Sequence, residues 1–373
     1  MRIAMLLDAW DDAPTGAVIS TRRFTERLRE RGHTVTVVST GARAEHKIAL
    51  PELRVPFAQP IITKMRTPLA WPDRRSLARA IADADVVHVH TPFLLAMRGI
   101  TMAKRAGVPT VATFHVRAEH ILRNIGVHSQ TTVDLLSRFF LRSVYNRCDH
   151  VICPSEFGEH ELRGHGLRRP ATVISNGIPE EYRPTDRITN DRFVILSVGR
   201  LAPEKRHDVL IEAVRRSRHE PDIQLVVLGD GPLRSRLRDQ ARGLTNPALF
   251  DCLPPHELIS YYNTADLYVH TAEIEVECMS VLEAMACGLP CLIAESATDG
   301  TARIARSERF RFSAGSPQAL AARIDHLIEH PDELKAARAD HAAAARRYPI
   351  DTSVDHLLAL YQRLTARQRV LGH

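Results

Sequence analysis

Apolar residues along this chain fall into short blocks, and the blocks recur in a regular rhythm. Ile3–Leu7, Thr34–Ser39, Val86–His90, Thr110–Phe114, His150–Cys153 and Thr172–Ser175 are runs rich in Val, Ile and Thr, and each reads as a strand. Between them, Val18–Arg31 and Leu94–Ala106 carry apolar residues at helical spacing, such as Phe24 and Leu28. The strands are near-continuous apolar runs, which predicts parallel sheets covered by helices on both faces. The rhythm then breaks at Asn176–Pro184, a stretch with two prolines, a glycine and no apolar period. It restarts with strands at Phe193–Val198, Ile223–Leu228, Ala248–Cys252, Leu267–Val269 and Cys291–Ala294. Helices are expected at Arg206–Arg216, Pro232–Arg242, Ser280–Cys287 and Pro317–Glu329.

The pattern predicts an α/β protein of two Rossmann-like domains: 1–176, 177–350, and a C-terminal helix over 351–373 that packs back toward the first domain. The length of 373 residues agrees with two domains. Sheets of this kind bind ligands beyond the carboxyl ends of their strands. The loops after Leu7, Phe114, Val198, Leu228 and Val269 are therefore where chemistry is expected, facing a cleft between the domains.

Composition narrows the class. Charged residues are 25% and hydrophobic residues 44%, as in globular proteins. The start, MRIAMLLDAW, reads as a buried strand ended by Asp8 rather than as a leader, so a cytoplasmic location is expected, with the inner face of the membrane included. The net charge of +6 comes from 45 arginines and only 5 lysines. That suits an anionic substrate or an anionic surface. With aromatics at 5%, the basic residues lack the interleaved rings of a nucleic-acid binder, and no nucleic-acid partner is expected. The six cysteines form no Cys-x-x-Cys pair and no zinc-type spacing with histidine. They read as small buried hydrophobes, and no metal or cofactor is expected.

The strand-end loops hold the candidate site. After Val198 comes Gly199-Arg200-Leu201-Ala202-Pro203-Glu204-Lys205-Arg206. A helix start favours anions through its free N–H groups, and a guanidinium and an ammonium beside it make a diphosphate site that needs no metal. Solvated surface charge is the competing reading; it is accepted for Arg206 and not for Lys205. After Leu228, Gly229-Asp230-Gly231-Pro232 lets backbone approach a ligand, although any tight turn could look the same. After Val269, Glu275 precedes a helix that carries Glu283 among Val281, Leu282, Ala284 and Met285. A carboxylate there is costly if buried alone, but turned toward a ligand it can accept two hydrogen bonds from a ribose diol. Glu277 reads as an exposed carboxylate.

Glu275-x7-Glu283 followed by Ala-Met-Ala-Cys-Gly-Leu-Pro, together with Gly-Arg-Leu-x-x-Glu-Lys at 199–205, resembles the retaining glycosyltransferases of family 4, with the GT-B fold. The resemblance spans nearly the whole chain. It implies a UDP or GDP sugar as donor, transfer of a hexose with retention, Arg200 and Lys205 on the donor diphosphate, Glu283 on the ribose and Glu275 on the transferred sugar. Gly199 and Gly231 would border the nucleotide. Gly16, in Pro14-Thr15-Gly16-Ala17, would correspond to a glycine turn near the phosphates, and His115 to a histidine near the donor sugar. Glu277 and Cys278 stand where many relatives have glycine, and Gly-Ala at 16–17 where many have Gly-Gly.

Thr15–Val18, His90–Phe93 and Thr113–His115 are similar to a subgroup that glucosylates diacylglycerol and related lipids. Two basic and apolar segments fit a membrane-lipid acceptor reached by peripheral contact. One is Ile61–Arg79, with Lys64, Arg66, Arg74, Arg75 and Arg79 against Asp73, and Ile61, Ile62, Met65, Leu69 and Trp71 nearby. The other is Leu135–Tyr145, with Phe139, Phe140 and Val144 beside Arg138 and Arg142. Ordinary helices packed on their own core would give the same residues. Three other activities compete: transfer to a small soluble acceptor, 2-epimerisation of the sugar nucleotide, and arginine-driven nucleic-acid binding.

Overall fold

The structure, a computed structural model, describes all residues except 12–14, 57–58, 60–61, 64–66, 187–189, 297, 305–306 and 372–373. The chain forms two compact units. One is Met1–Gly177 together with Ile350–His373; the other is Ile178–Pro349.

The first unit holds β1 (Arg2–Leu6), β2 (Thr34–Ser39), β3 (Lys47–Ala49), β4 (Val86–Val89), β5 (Thr110–Thr113), β6 (His150–Cys153) and β7 (Ala171–Val173). They pair in parallel in the order β3-β2-β1-β4-β5-β6-β7. Every residue of β4, β5 and β6 is buried, as two covered faces require. Part of one cover is the helix Ile350–Leu371. Its Val354, Leu357, Leu360 and Tyr361 recur at helical spacing and pack with Ile3, Met5, Val35 and Ile152. The helix Gly16–Glu30 begins earlier than its apolar pattern suggests, because the Thr15 hydroxyl caps it by accepting the Val18 N–H at 3.4 Å.

The second unit holds β8 (Phe193–Val198), β9 (Ile223–Leu228), β10 (Leu249–Asp251), β11 (Leu267–His270), β12 (Cys291–Glu295) and β13 (Arg311–Ser313). Their order is β10-β9-β8-β11-β12-β13, again all parallel. The sheet separates two cores. Ile195, Leu225, Val227, Leu292 and Ala294 join Leu210, Val214, Leu320 and Ile324 on one side. Leu196, Val226, Leu228, Cys291 and Ile293 join Val281, Leu282 and Met285 on the other. Alternate residues thus bury on opposite faces, and this is why the strands read as unbroken apolar runs.

In each sheet the first strand lies between the second and the fourth, so a topological switch point falls between β1 and β4 and again between β8 and β11. The strands β3 and β13 had no apolar run to announce them: each has three residues, begins with Lys47 or Arg311, and lies at a sheet edge.

Of the two basic segments, Ile61, Lys64, Met65 and Arg66 lie outside the described residues, as does Pro14. Asp73 caps the helix Arg74–Ala82 by accepting the Ser76 N–H at 2.8 Å, and Arg74, Arg75 and Arg79 are exposed on that helix. On the helix Gln130–Ser143, Phe140 is buried against Phe93, whereas Leu135 and Phe139 keep 68% and 52% of their surface exposed. Among the described residues no helix is long and apolar enough to cross a membrane.

Candidate active site

The second unit gathers most of the candidate residues at the carboxyl ends of β8, β9 and β11. Val198 leads into Gly199 and Arg200, and the chain then makes a short helical turn at Pro203–Lys205. Lys205 closes that turn rather than opening the next helix. Arg206 intervenes in the left-handed region at φ 51°, and the helix runs from His207 to Arg216. That conformation costs a non-glycine residue about 1–2 kcal/mol. Arg206 is held in it by ion pairs to Glu273 and, at 3.2 Å, to Asp208. It is a half-buried, paired side chain and not the solvated charge its sequence suggested.

Two glycines lock the neighbouring turns together. Gly229 has φ +143°, and a Cβ there would run into the Gly199 carbonyl oxygen. A Cβ on Gly231 would meet the Leu201 backbone in the same way. The Leu201 N–H donates to the Asp230 carbonyl at 3.0 Å, and the Leu233 N–H to the Leu201 carbonyl at 2.9 Å. The need for glycine here comes from contact between two turns.

The loop after β11 is fastened to the Lys205 turn at two points. The Thr271 hydroxyl donates to the Lys205 carbonyl at 2.7 Å, and the Glu273 N–H donates to the Glu204 carbonyl at 3.1 Å. This attachment brings Lys205 Nζ onto Glu275 Oε1 in an ion pair. Burial disfavours the Lys205 charge, but Glu275 first, then Cys278 and Glu204, outweigh it and raise its pKa. Arg200 is half-buried, and burial lowers its pKa against an opposing pull from Glu204. His207 is pushed down to about 3, by burial first and then by Lys205 and His270.

Beyond Glu275 a series of neighbouring side chains leads toward Glu283. Cys278 Sγ lies 3.5 Å from His270 Nδ1 and 3.3 Å from Ser280 Oγ. Ser280 accepts from Tyr268 OH at 2.8 Å, and the Tyr268 and Tyr262 rings stand 6.1 Å apart. The Tyr262 phenol donates to Glu283 Oε2 at 3.0 Å, so this mid-helix carboxylate is buried with a partner. His270 is buried, which opposes its charge, yet Cys278 and Asp299 push it up to about 10. Cys278 is thus more than a small hydrophobe. Among the other cysteines Cys252 is exposed and the remaining four are buried.

Gly16 and His115 belong to the first unit. Gly16 opens its helix and is exposed, and His115 follows β5 and is half-buried. His115 Nε2 lies 3.3 Å from His90 Nδ1, and His88 reaches Tyr361 OH and Thr113 Oγ1 at 2.6 Å each. Burial holds His115 down to about 4 and His88 to about 3.

Nothing in the sequence alone marks Tyr262, His270 or Asp299 for a role. His270 ends a strand beside the switch point, a place that could have drawn attention. Tyr262 meets Glu283 from another helix, and nothing in the sequence signals that contact.

Residues 179–346 match the family described as glycosyl transferases group 1, and residues 14–182 match glycosyltransferase family 4. The two matches together span residues 14–346, and the chain is a glycosyltransferase of the family 4 type. This chain is a GT-B glycosyltransferase that uses nucleotide sugars. It is 28% identical over 385 residues to a GDP-mannose-dependent alpha-mannosyltransferase of Mycolicibacterium smegmatis, covering 99% of each chain. It is also 28% identical to the alpha-monoglucosyldiacylglycerol synthase of Streptococcus pneumoniae, over 78% of this chain and 70% of that one. Its fold matches that of Anabaena Alr3699/HepE, solved with UDP and glucose, at a TM-score of 0.76 and 20% identity, covering 98% of this chain and 100% of that one.

Proposed function

We propose that this enzyme transfers a hexosyl group from a nucleotide diphosphate sugar to a membrane-lipid acceptor, with retention of anomeric configuration. The observation that carries the reading is the partly buried Lys205–Glu275 pair, flanked by Arg200 and followed by neighbouring side chains that lead to Glu283. As the bond from the anomeric carbon to the diphosphate breaks, negative charge grows on the leaving phosphate. Lys205 and Arg200 stabilise that charge as preorganised cations. Glu275 orients the ammonium and contacts the sugar, and Glu283 accepts from the ribose hydroxyls. Gly199 and Gly231 border the nucleotide through their backbone, and Gly16 is assigned to the phosphates. His115, uncharged at neutral pH, is assigned to the sugar as a hydrogen-bonding ring. The acceptor hydroxyl attacks from the side the diphosphate leaves, and its proton passes to the departing phosphate oxygen.

The lipid acceptor is supported by Leu135 and Phe139, one helical turn apart and exposed, with exposed Arg138 and Arg142 on the same helix. Apolar side chains beside cations are what an interfacial helix presents to an anionic bilayer. The kinship with a diacylglycerol glycolipid synthase points the same way.

The test incubates purified enzyme with UDP-glucose or GDP-mannose, alone and with diacylglycerol or phosphatidylinositol vesicles. Products are analysed by mass spectrometry and by NMR of the anomeric proton. An α-linked glycolipid formed only with vesicles is expected. A β-linked product overturns retention, transfer only to soluble sugars overturns the lipid acceptor, and an isomerised donor without acceptor overturns transfer in favour of epimerisation.

A further inference from the structure

We propose that His270, Glu275 and Cys278 form a binding site for a thiophilic divalent cation of the zinc type. One donor atom from each of the three side chains lies within 4.8 Å of the other two. His270 Nδ1 and Cys278 Sγ stand 3.5 Å apart. An imidazole nitrogen at about 2.0 Å and a thiolate at about 2.3 Å from a tetrahedral zinc stand about 3.5 Å from each other. The spacing of these two groups already suits such an ion.

The surroundings are those of a metal-binding histidine. With Nδ1 turned toward Cys278, the opposite ring nitrogen, Nε2, lies 3.5 Å from Asp299 Oδ2, and both residues are buried. Asp299 is itself held by the Thr301 N–H at 2.6 Å and by a bridge between its strand segment and that of Glu275. A carboxylate behind the ring fixes the ring's orientation and raises its basicity as a ligand. One thiolate, one imidazole and one carboxylate select the zinc class over magnesium, which prefers oxygen alone. Three protein ligands leave a fourth position for water or another ligand. Lys205 and Glu275 keep 21% and 11% of their side-chain surface exposed, which provides an approach from solvent.

Binding releases the Cys278 thiol proton and the His270 Nδ1 proton to solvent, and no electrons move. The cation competes with the Lys205 ammonium for the Glu275 carboxylate. Resting on the donor-site reading above, occupation of the site inhibits sugar transfer; the binding itself does not depend on that reading.

The experiment titrates chelator-treated, phosphine-reduced full-length enzyme with Co2+ and reads the thiolate-to-cobalt absorption in the near ultraviolet. Zn2+ affinity is then measured by competition with a chromophoric chelator. One thiolate band is expected, displaced by Zn2+ and not by millimolar Mg2+. Cys278→Ser and Cys278→Ala should both remove the band and weaken Zn2+ binding, with metal-free melting showing that each is folded. Cys252→Ser, at the exposed thiol, should change neither. Absence of a band in the wild type, or a band that survives Cys278→Ser and disappears in Cys252→Ser, overturns the proposal. Zn2+ should also inhibit transfer by the wild type and spare Cys278→Ser. A band without inhibition leaves the cation site standing and removes Glu275 from the donor pocket.

Discussion

His90 and His270 occupy matching places in two sheets of the same strand order. Each lies at the carboxyl end of the fourth strand, β4 or β11, next to the first strand of its own sheet. Their chemistry is opposite. His90 packs against His88, His115 and Met5, and burial together with those two rings drives its pKa well below the ordinary value. His270 is equally buried, but Cys278 and Asp299 face its two nitrogens and push it up to about 10. The fold fixes where a strand-end side chain stands. The loops that surround it decide whether it carries a charge.

The sharpest way to break this contrast is Asp299→Asn. Removing one partner of a buried pair costs about 3–5 kcal/mol, and the His270 pKa should fall from about 10, with Cys278 left as the group that holds it up. Chemical denaturation and an NMR titration of the ring proton read both effects. An unchanged His270 would mean that Asp299 does not set its charge.

Lys205→Ala comes next. Turnover should drop about 100–1,000-fold while the melting profile keeps its shape, because a preorganised cation on a leaving phosphate contributes on that scale. Wild-type turnover would separate the charged strand end from catalysis altogether.

Acid should weaken the first unit. An unfolded histidine takes up its proton near its ordinary pKa of 6.5, whereas folded His88 waits until about 3 and His115 until about 4. Their stabilisation is therefore fully present above 6.5 and is lost as pH falls, by up to about 1.4 kcal/mol per pH unit for each ring. Asp8, raised by burial from 3.8 to about 6, works the other way and returns some stability between those two values. Denaturation of the first unit at pH 7.5 and pH 5 should show a net loss, and equal stability would mean that the rings are not held neutral.

Tyr262→Phe should have the smallest effect. It removes one hydrogen bond to a buried carboxylate, about 1–2 kcal/mol of stability, and a raised KM for the donor with kcat little changed is expected. A fall in kcat alone would assign Glu283 to the reacting sugar instead of the ribose.

Much of the fold was legible in the sequence because a strand covered on both faces is an unbroken apolar run. Phe193–Val198, Ile223–Leu228 and Thr34–Ser39 were readable to the residue. β3 and β13 have three residues each and open on a charged side chain, so they left no such trace, whereas β7 and β10 at the other sheet edges did. The charged residues of the site were visible because Lys205, Glu275 and Glu283 sit at strand ends or in a helix otherwise apolar. Their partners were not. Tyr262 meets Glu283, and His270 meets Asp299, across separate elements whose approach is set by packing. Arg206 looked like surface because a left-handed arginine cannot be told from a helical one without its backbone angle.

The chain leaves the first unit at Gly177 and rejoins it at Ile350, with the whole second unit spelled out between. Translation proceeds in that order, so Ile178–Pro349 can finish folding while the first sheet still lacks Val354, Leu357, Leu360 and Tyr361. Until those residues emerge from the ribosome, Ile3, Met5 and Val35 wait with one side only partly covered, by Phe24 and Leu28. The interrupted first unit is the one a nascent-chain chaperone would have reason to hold.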